Sequence, residues 1–107
     1  MIARIWHGVT PVARGDAYFD YLMESGIRAY RSNEGNRGVY VLRGDRGSRT
    51  DFLLISLWES YDAIRKFAGP EYERAVYYPR DEEFLVEFEP NVVHYEVLLA
   101  PGTSEVT

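Results

Sequence analysis

The stretch 52–58 is apolar on both sides of an extended chain, and this feature constrains the fold more than any other. Successive side chains of a strand point to opposite faces. Both alternating sets are apolar except for one serine, with Phe52, Leu54, Ser56 and Trp58 on one face and Leu53, Ile55 and Leu57 on the other. A domain of 107 residues buries only about two thirds of the surface that its unfolded chain exposes. Its own helices can cover one sheet face, so we predict a homodimer in which two such sheets pack face to face.

The remaining periodicities predict the element order β-α-β-β-α-β. Alternation predicts strands over 2–10, 39–43, 52–58 and 92–99. Apolar steps of three and four predict one helix from about 15 to 30 and a second after an N-cap at Ser60, while 71–76 has the pattern of a further helical turn or two. This order is the ferredoxin-like α+β fold, an antiparallel sheet with the helices on one face. We expect a single domain over 1–99 and a flexible tail over 100–107.

Composition excludes several classes of function. The chain has no cysteine, which excludes disulfides, thiolate nucleophiles and cysteine-based metal centres and favours a cytoplasmic location. Its net charge of −5, without a clustered basic face, predicts no nucleic-acid partner. No apolar stretch approaches the roughly 20 residues of a membrane span, and the first residues lack the pattern of a signal peptide. The glycines fit turns rather than a phosphate loop, so we expect no nucleotide cofactor.

Aromatic residues and three short motifs indicate a family. The chain has nine Tyr, five Phe and two Trp, which suit either a small core or a flat apolar ligand. The motifs at 2–8 (IARIWHG), 56–60 (SLWES) and 73–79 (ERAVYYP) resemble the antibiotic biosynthesis monooxygenase family of dimeric α/β-barrel proteins, over nearly the whole chain. The resemblance implies a barrel shared by two subunits. It also implies a monooxygenase that acts without metal or flavin on an aromatic or polyketide-like metabolite, although other members degrade haem.

The family's functional residues match this chain only in part. Trp58 matches a tryptophan of the substrate pocket in the quinone-forming members. The asparagine four positions before it is Leu54 here, and the tyrosine six positions after it is Ile64. In the haem-degrading branch an asparagine, a tryptophan and a histidine are used, and their positions correspond here to His7, Phe67 and Tyr77.

The chemistry that the resemblance implies requires few groups from the protein. A phenol that loses a proton can reduce dioxygen directly, so the site needs a dry aromatic cavity, one base and donors for the developing charge. His7 is the best base by residue type, because its ordinary pKa lies near neutrality. The roles of Trp6 and His7 are exchanged if the opposite face of the first strand lines the cavity. We expect a cavity lined by Trp58, Phe67, Tyr40, Tyr77 and Tyr78.

Two other functions stay open at this point. One is a non-catalytic dimer that binds a small ligand or is purely structural, which Leu54 in place of the family's asparagine favours. The other is a haem-binding protein with His7 or Tyr77 as axial ligand.

Charged and titratable groups outside this set have simpler interpretations. Arg4 and Arg74 are expected to pair with acids, with an anionic ligand oxygen as the alternative partner. His94 is expected to be structural, since no spacing supports a metal site that combines it with His7 and a carboxylate. The run 81–83 (DEE) is expected to be a solvated acidic patch.

Overall fold

A four-stranded antiparallel sheet forms one side of the protein. The computed structural model describes residues 1–102, and residues 103–107, which make up most of the predicted tail, lie outside the described part. The strands are β1 (Ile2–Pro11), β2 (Asn36–Arg46), β3 (Arg49–Trp58) and β4 (Val93–Glu96). They lie in the order β2-β3-β1-β4, with every neighbouring pair antiparallel. The predicted ferredoxin-like α+β fold is confirmed.

The helices pack on one face of this sheet. They are α1 (Gly15–Glu24), α2 (Gly26–Arg31) and α3 (Tyr61–Ala68), with short 3-10 helices at Val12–Arg14 and Asp81–Glu83. The helix predicted over 15–30 is broken at Ser25, where the ψ of −91° is not helical and a serine precedes a glycine, both weak helix formers. Helix α3 begins as predicted, because Ser60 Oγ accepts a hydrogen bond from the Ala63 N–H at 3.1 Å. No helix within residues 1–102 is long and apolar enough to cross a membrane.

Strand lengths differ from the predicted ones in both directions. The ladder between β2 and β3 continues through the polar residues as far as a two-residue turn at Gly47, whose φ is 60°. The Thr50 hydroxyl donates to Asp45 at 2.6 Å and ties this ribbon together. Strand β4 is shorter than the predicted 92–99, because β1 pairs with it over only four positions. Segment 71–76 is not helical, and its Arg74 forms an isolated bridge with Asn91.

The core lies between the sheet and the helices. Because paired residues of β1 and β3 share a face, their even-numbered side chains point toward the helices. Trp58 and Phe52 are fully buried at its centre. The other buried apolar members are Trp6, Tyr18, Leu22, Ile27, Tyr30, Leu54, Ala63, Ile64, Phe84, Leu85 and Val92.

The opposite side of the sheet is apolar and uncovered in a single chain. This open sheet face comprises Ile5, His7, Tyr40, Leu42, Leu53, Ile55, Leu57, Val93 and Tyr95. Four of its apolar side chains, on the outer strands, are 44–59% exposed. The two-sided apolar character predicted for 52–58 is therefore present in the folded chain, with one set in the core and the other on this face.

Candidate functional site

Aromatic side chains surround a small cavity between the sheet and the helices, which we call the inner pocket. The pocket is lined by Trp6, Tyr18, Leu22, Gly26, Tyr30, Leu54, Val76, Tyr78 and Asp81. Its free volume is about 10 Å³, which is about the space that one water molecule needs. A larger ligand therefore enters only if the lining moves.

Asp81 is the one ionisable carboxylate in this lining. Its side chain is only 3% exposed, and it accepts a hydrogen bond from the Tyr18 hydroxyl at 2.9 Å and one from the Tyr78 backbone N–H at 2.6 Å. Burial raises the pKa of Asp81 above its ordinary value, although both hydrogen bonds act against the rise. A carboxylate with a raised pKa in an apolar site is a better base than a solvated one.

The expectation that 81–83 forms a solvated acidic patch is wrong at its first residue. Glu82 and Glu83 are exposed, but Asp81 is buried. In the turn at 81–85, Asp81 shares a side with Phe84 and Leu85, three and four positions later, and both of these pack in the core. That spacing is the signal in the sequence that could have identified a buried acid.

Buried phenols and an indole complete the pocket. Burial, followed by the nearby Asp81 charge, raises the pKa of Tyr18, and burial raises that of Tyr30 to about 12, so both phenols are neutral. The Trp6 Nε1–H is buried without an acceptor at hydrogen-bond geometry within the described chain. The Tyr77 hydroxyl oxygen lies near this N–H, and because the hydroxyl donates its own proton to the Glu89 carbonyl, its oxygen can accept from the indole after a small adjustment.

Arg4 lies in the core without an acidic partner. Its guanidinium is 1% exposed and donates to the backbone carbonyl of Tyr72 and, at 3.0 Å, to that of Arg74. A third contact joins it to His94 Nε2 at 3.1 Å. The predicted salt bridge is thus absent for Arg4 in residues 1–102, because β1 directs this side chain into the core, where it meets backbone carbonyls. Arg74 does pair with an acid, Glu71, at 3.6 Å.

His7 lies on the open sheet face, on the other side of the sheet from the inner pocket. Its Nε2 contacts Asp51 at 2.8 Å, and its Nδ1 contacts Glu89. Partial burial alone lowers the pKa of His7, but the hydrogen bonds to Glu89 and Asp51 outweigh this and leave the pKa raised. The two carboxylates therefore favour the protonated form of His7, on the side of the sheet that faces away from the inner pocket.

Of the other predicted site residues, Trp6 and Tyr78 line the inner pocket. Trp58 lies in the core beside it, where the indole N–H donates to Ser56 Oγ at 2.9 Å and the ring packs on Phe67 at 5.2 Å. Tyr77 packs against the edge of the Trp6 ring rather than lining the cavity. Tyr40 lies on the open sheet face with His7. The structure thus separates the predicted set into two faces of one sheet.

Comparison with known proteins supports the fold that the motifs indicate. No family model and no curated protein sequence matches the chain. Among solved structures, a proposed antibiotic biosynthesis monooxygenase from Nitrosomonas europaea is 17% identical, with a TM-score of 0.63 over 92% of this chain and 100% of the other. Rv0793 from Mycobacterium tuberculosis is 17% identical, with a TM-score of 0.60 over 94% of this chain and 98% of its own.

A third similar structure carries a porphyrin. It is a point mutant of MhuD with two manganese protoporphyrin IX molecules bound per active site, 17% identical, with a TM-score of 0.60 over 96% of this chain and 100% of the other. Identities at this level establish a shared backbone and leave activity open. The chain therefore has the fold of the antibiotic biosynthesis monooxygenases, as its three sequence motifs predicted.

Proposed function

We propose that this protein binds a small hydroxylated aromatic or polyketide-like metabolite in the inner pocket and oxygenates it without metal or flavin. The observation that carries this proposal is the buried carboxylate of Asp81 among the aromatic rings that line the inner pocket. In this proposal Asp81 has the role of base that the sequence analysis assigned to His7.

The proposed reaction begins with transfer of the phenolic proton of the substrate to Asp81. The resulting anion is rich in electrons and reduces dioxygen, after which one oxygen atom becomes the second carbonyl oxygen of a quinone. The other oxygen atom leaves as water with two hydrogens from the substrate, the phenolic one and one from the ring. The phenol supplies all the electrons, so no further reductant is needed. Tyr30 and Tyr78 would stack along the substrate.

Substrate entry requires the pocket to open. The free volume of about 10 Å³ is far below the roughly 300 Å³ or more of a typical ligand site. Gly26 and Tyr78 lie at the junction of α2 and the segment that leads to Asp81, and an added Cβ on Gly26 would approach only one Tyr78 carbon, at 3.7 Å. In this proposal the pocket opens at this junction, where a glycine rather than a larger side chain faces Tyr78.

The filled pocket favours the second candidate function, a dimer of the same fold without turnover. In that case the aromatic residues serve the core, and the inner pocket binds a ligand without chemistry or binds none. The two candidates differ in whether oxygen is consumed.

Haem binding was the third candidate, and MhuD binds a manganese porphyrin. The residues of this chain do not fit such a group. The two expected axial ligands do not line the inner pocket and have other partners, His7 with Asp51 and Glu89 and Tyr77 with the Glu89 carbonyl.

We further propose that the protein is a cytoplasmic homodimer whose two copies pair through the open sheet face. This face joins the apolar side of β3 to exposed apolar residues of β2 and β4. A second copy would cover a patch of a size that monomeric proteins rarely expose. Pairing of the same face on both copies is the expected symmetric arrangement of a dimer.

Oxygen uptake with a panel of hydroxylated naphthalenes tests the proposed activity. We expect oxygen consumption and a quinone absorbance, and we expect Asp81→Asn to slow turnover by about 10²–10⁴-fold. Glu82→Gln, at the exposed neighbouring position, is the matched control and should retain activity. Circular dichroism establishes that Asp81→Asn is folded. Ligand-dependent quenching of tryptophan fluorescence without oxygen uptake would support the non-catalytic dimer, and activity unchanged in Asp81→Asn would refute the assignment of the base.

A further inference from the structure

A second hollow lies on the surface between α3, the segment 70–74 and β4, and we call it the outer cleft. It has a volume of about 340 Å³ and is lined by Tyr61, Tyr72, Glu73, Asn91, Val92 and His94. A neighbouring hollow of about 320 Å³ shares three of these residues and extends toward Pro70. The outer cleft is distinct from the inner pocket, with which it has no lining residue in common.

Three rings converge in the outer cleft. The ring centres of Tyr61 and Tyr72 are 5.6 Å apart, and His94 lies 5.9 Å from the first and 5.3 Å from the second. The planes are tilted by 54° to 67°, so the rings form a corner rather than a stack. A corner of this kind accommodates the face and edge of a further aromatic ring.

The contact with Arg4 determines which ring nitrogen of neutral His94 carries the proton. A guanidinium only donates hydrogen bonds, so His94 Nε2 accepts from Arg4 and the ring proton of the neutral imidazole is on Nδ1. Burial, followed by the Arg4 charge, lowers the pKa of His94 to about 4, so the imidazole is neutral near pH 7. No residue in the described chain accepts from Nδ1, which leaves this donor for solvent or a ligand.

A buried cation lies beside this corner, since Arg4 contacts His94. Arg4 is buried, and no carboxylate of residues 1–102 pairs with its charge. The Arg65 guanidinium lies 5.2 Å from the centre of the Tyr72 ring and pairs with exposed Asp62. Glu73 is the acidic residue in the lining of the cleft, and its charge opposes the binding of an anion there. A buried cation without a counter-ion is costly, and an anion at the adjacent surface offsets that cost.

We propose that the outer cleft binds a small aromatic carboxylate, whose ring packs in the corner of Tyr61 and Tyr72 and whose carboxylate accepts from His94 Nδ1–H in front of Arg4. The cleft thus selects a flat anion over a flat cation. This site is independent of the oxygenation proposed for the inner pocket.

Titration of the whole protein with benzoate, benzyl alcohol and benzylamine, followed by NMR, tests this site. We expect benzoate alone to give saturable shifts at Tyr61, Tyr72 and His94 at millimolar concentration. Glu73→Gln should tighten benzoate binding a few-fold by removing the one acid of the cleft, and Asn91→Asp should weaken it. Glu24→Gln, an exposed acid on α1, is the matched control and should leave binding unchanged.

Each other result overturns the proposal. Equal binding of benzoate and benzyl alcohol would mean that the carboxylate is not recognised. Preferred binding of benzylamine, lost in Glu73→Gln, would make the cleft a cation site. The absence of shifts with all three compounds would mean that the corner is only a surface packing feature. None of these results depends on oxygen consumption, so they leave the proposed activity of the inner pocket unaffected.

Discussion

Replacement of Ile55 by glutamate tests the proposed pairing of two sheets most directly. Ile55 lies in the middle of the open sheet face, paired with Ile5 of β1 on one side and with Tyr40 of β2 on the other. In a symmetric dimer the new carboxylate is present twice, in an apolar interface without partners. If each carboxylate costs a conservative ~2 kcal/mol, the interface loses about 4 kcal/mol, which is about 1,000-fold in the dissociation constant.

Sedimentation velocity over a range of micromolar concentrations measures this loss. Wild type should sediment as a dimer of two 12.4 kDa chains and Ile55→Glu as a single chain. The isolated fold should tolerate the change, because Ile55 is only half-buried in one chain. Phe19→Glu is the matched control, since Phe19 is 41% exposed on α1, on the helical side of the sheet. A monomeric wild type, or an Ile55→Glu dimer as tight as wild type, would refute the face-to-face pairing.

Three further predictions concern a single folded chain. The raised pKa of His7 means that its ion pairs stabilise the fold fully below the ordinary histidine pKa of about 6.5 and lose this contribution as pH rises through the folded-state pKa. Because this group is partly solvated, the effect should stay below about 1 kcal/mol, and thermal melts of wild type and His7→Gln should converge at high pH. Ser60→Ala removes the N-cap of α3 and should cost about 1 kcal/mol in urea unfolding, whereas unchanged stability would contradict the capping role. Tyr18→Phe leaves the buried carboxylate of Asp81 with one donor fewer and should cost about 1–3 kcal/mol in the same assay, with a further rise in the pKa of Asp81 visible by carboxyl NMR.

Most of the fold could be predicted from the sequence, because the residue periodicities of strands and helices are local properties. Alternation in 52–58 separated the core set from the set on the open face, and Ser60 marked the start of α3 without any tertiary information. The break at Ser25 depends on weak helix formers whose effect tertiary packing decides, so periodicity alone extended one helix through it. The ribbon of β2 and β3 is longer than predicted and β4 is shorter. The number of hydrogen bonds between two strands depends on the partner strand as well as on the strand's own residues.

Which residues line the candidate site depends on how the strands pair and on which sheet face the helices cover. The alternation within a single strand does not contain this information. In β1 and β3 Ile2 pairs with Trp58, so even-numbered residues of both strands share one face, and His7 lies on the other. Both sets of β3 are apolar, so composition did not indicate which face the helices cover. Trp6 and His7 are adjacent in sequence, yet one lies in the aromatic core and the other between two carboxylates on the open side.

The assignment of the base follows from these environments rather than from residue type. Histidine has the ordinary pKa that suits proton transfer near neutral pH, and aspartate does not. Two carboxylates beside His7 stabilise its cation on the open sheet face, whereas burial of Asp81 destabilises its anion and makes it a stronger base. The same sheet that directs Trp6 inward directs His7 outward, so the proposed reaction assigns the proton acceptor to Asp81 of the turn at 81–83, whose carboxylate accepts from the Tyr18 hydroxyl.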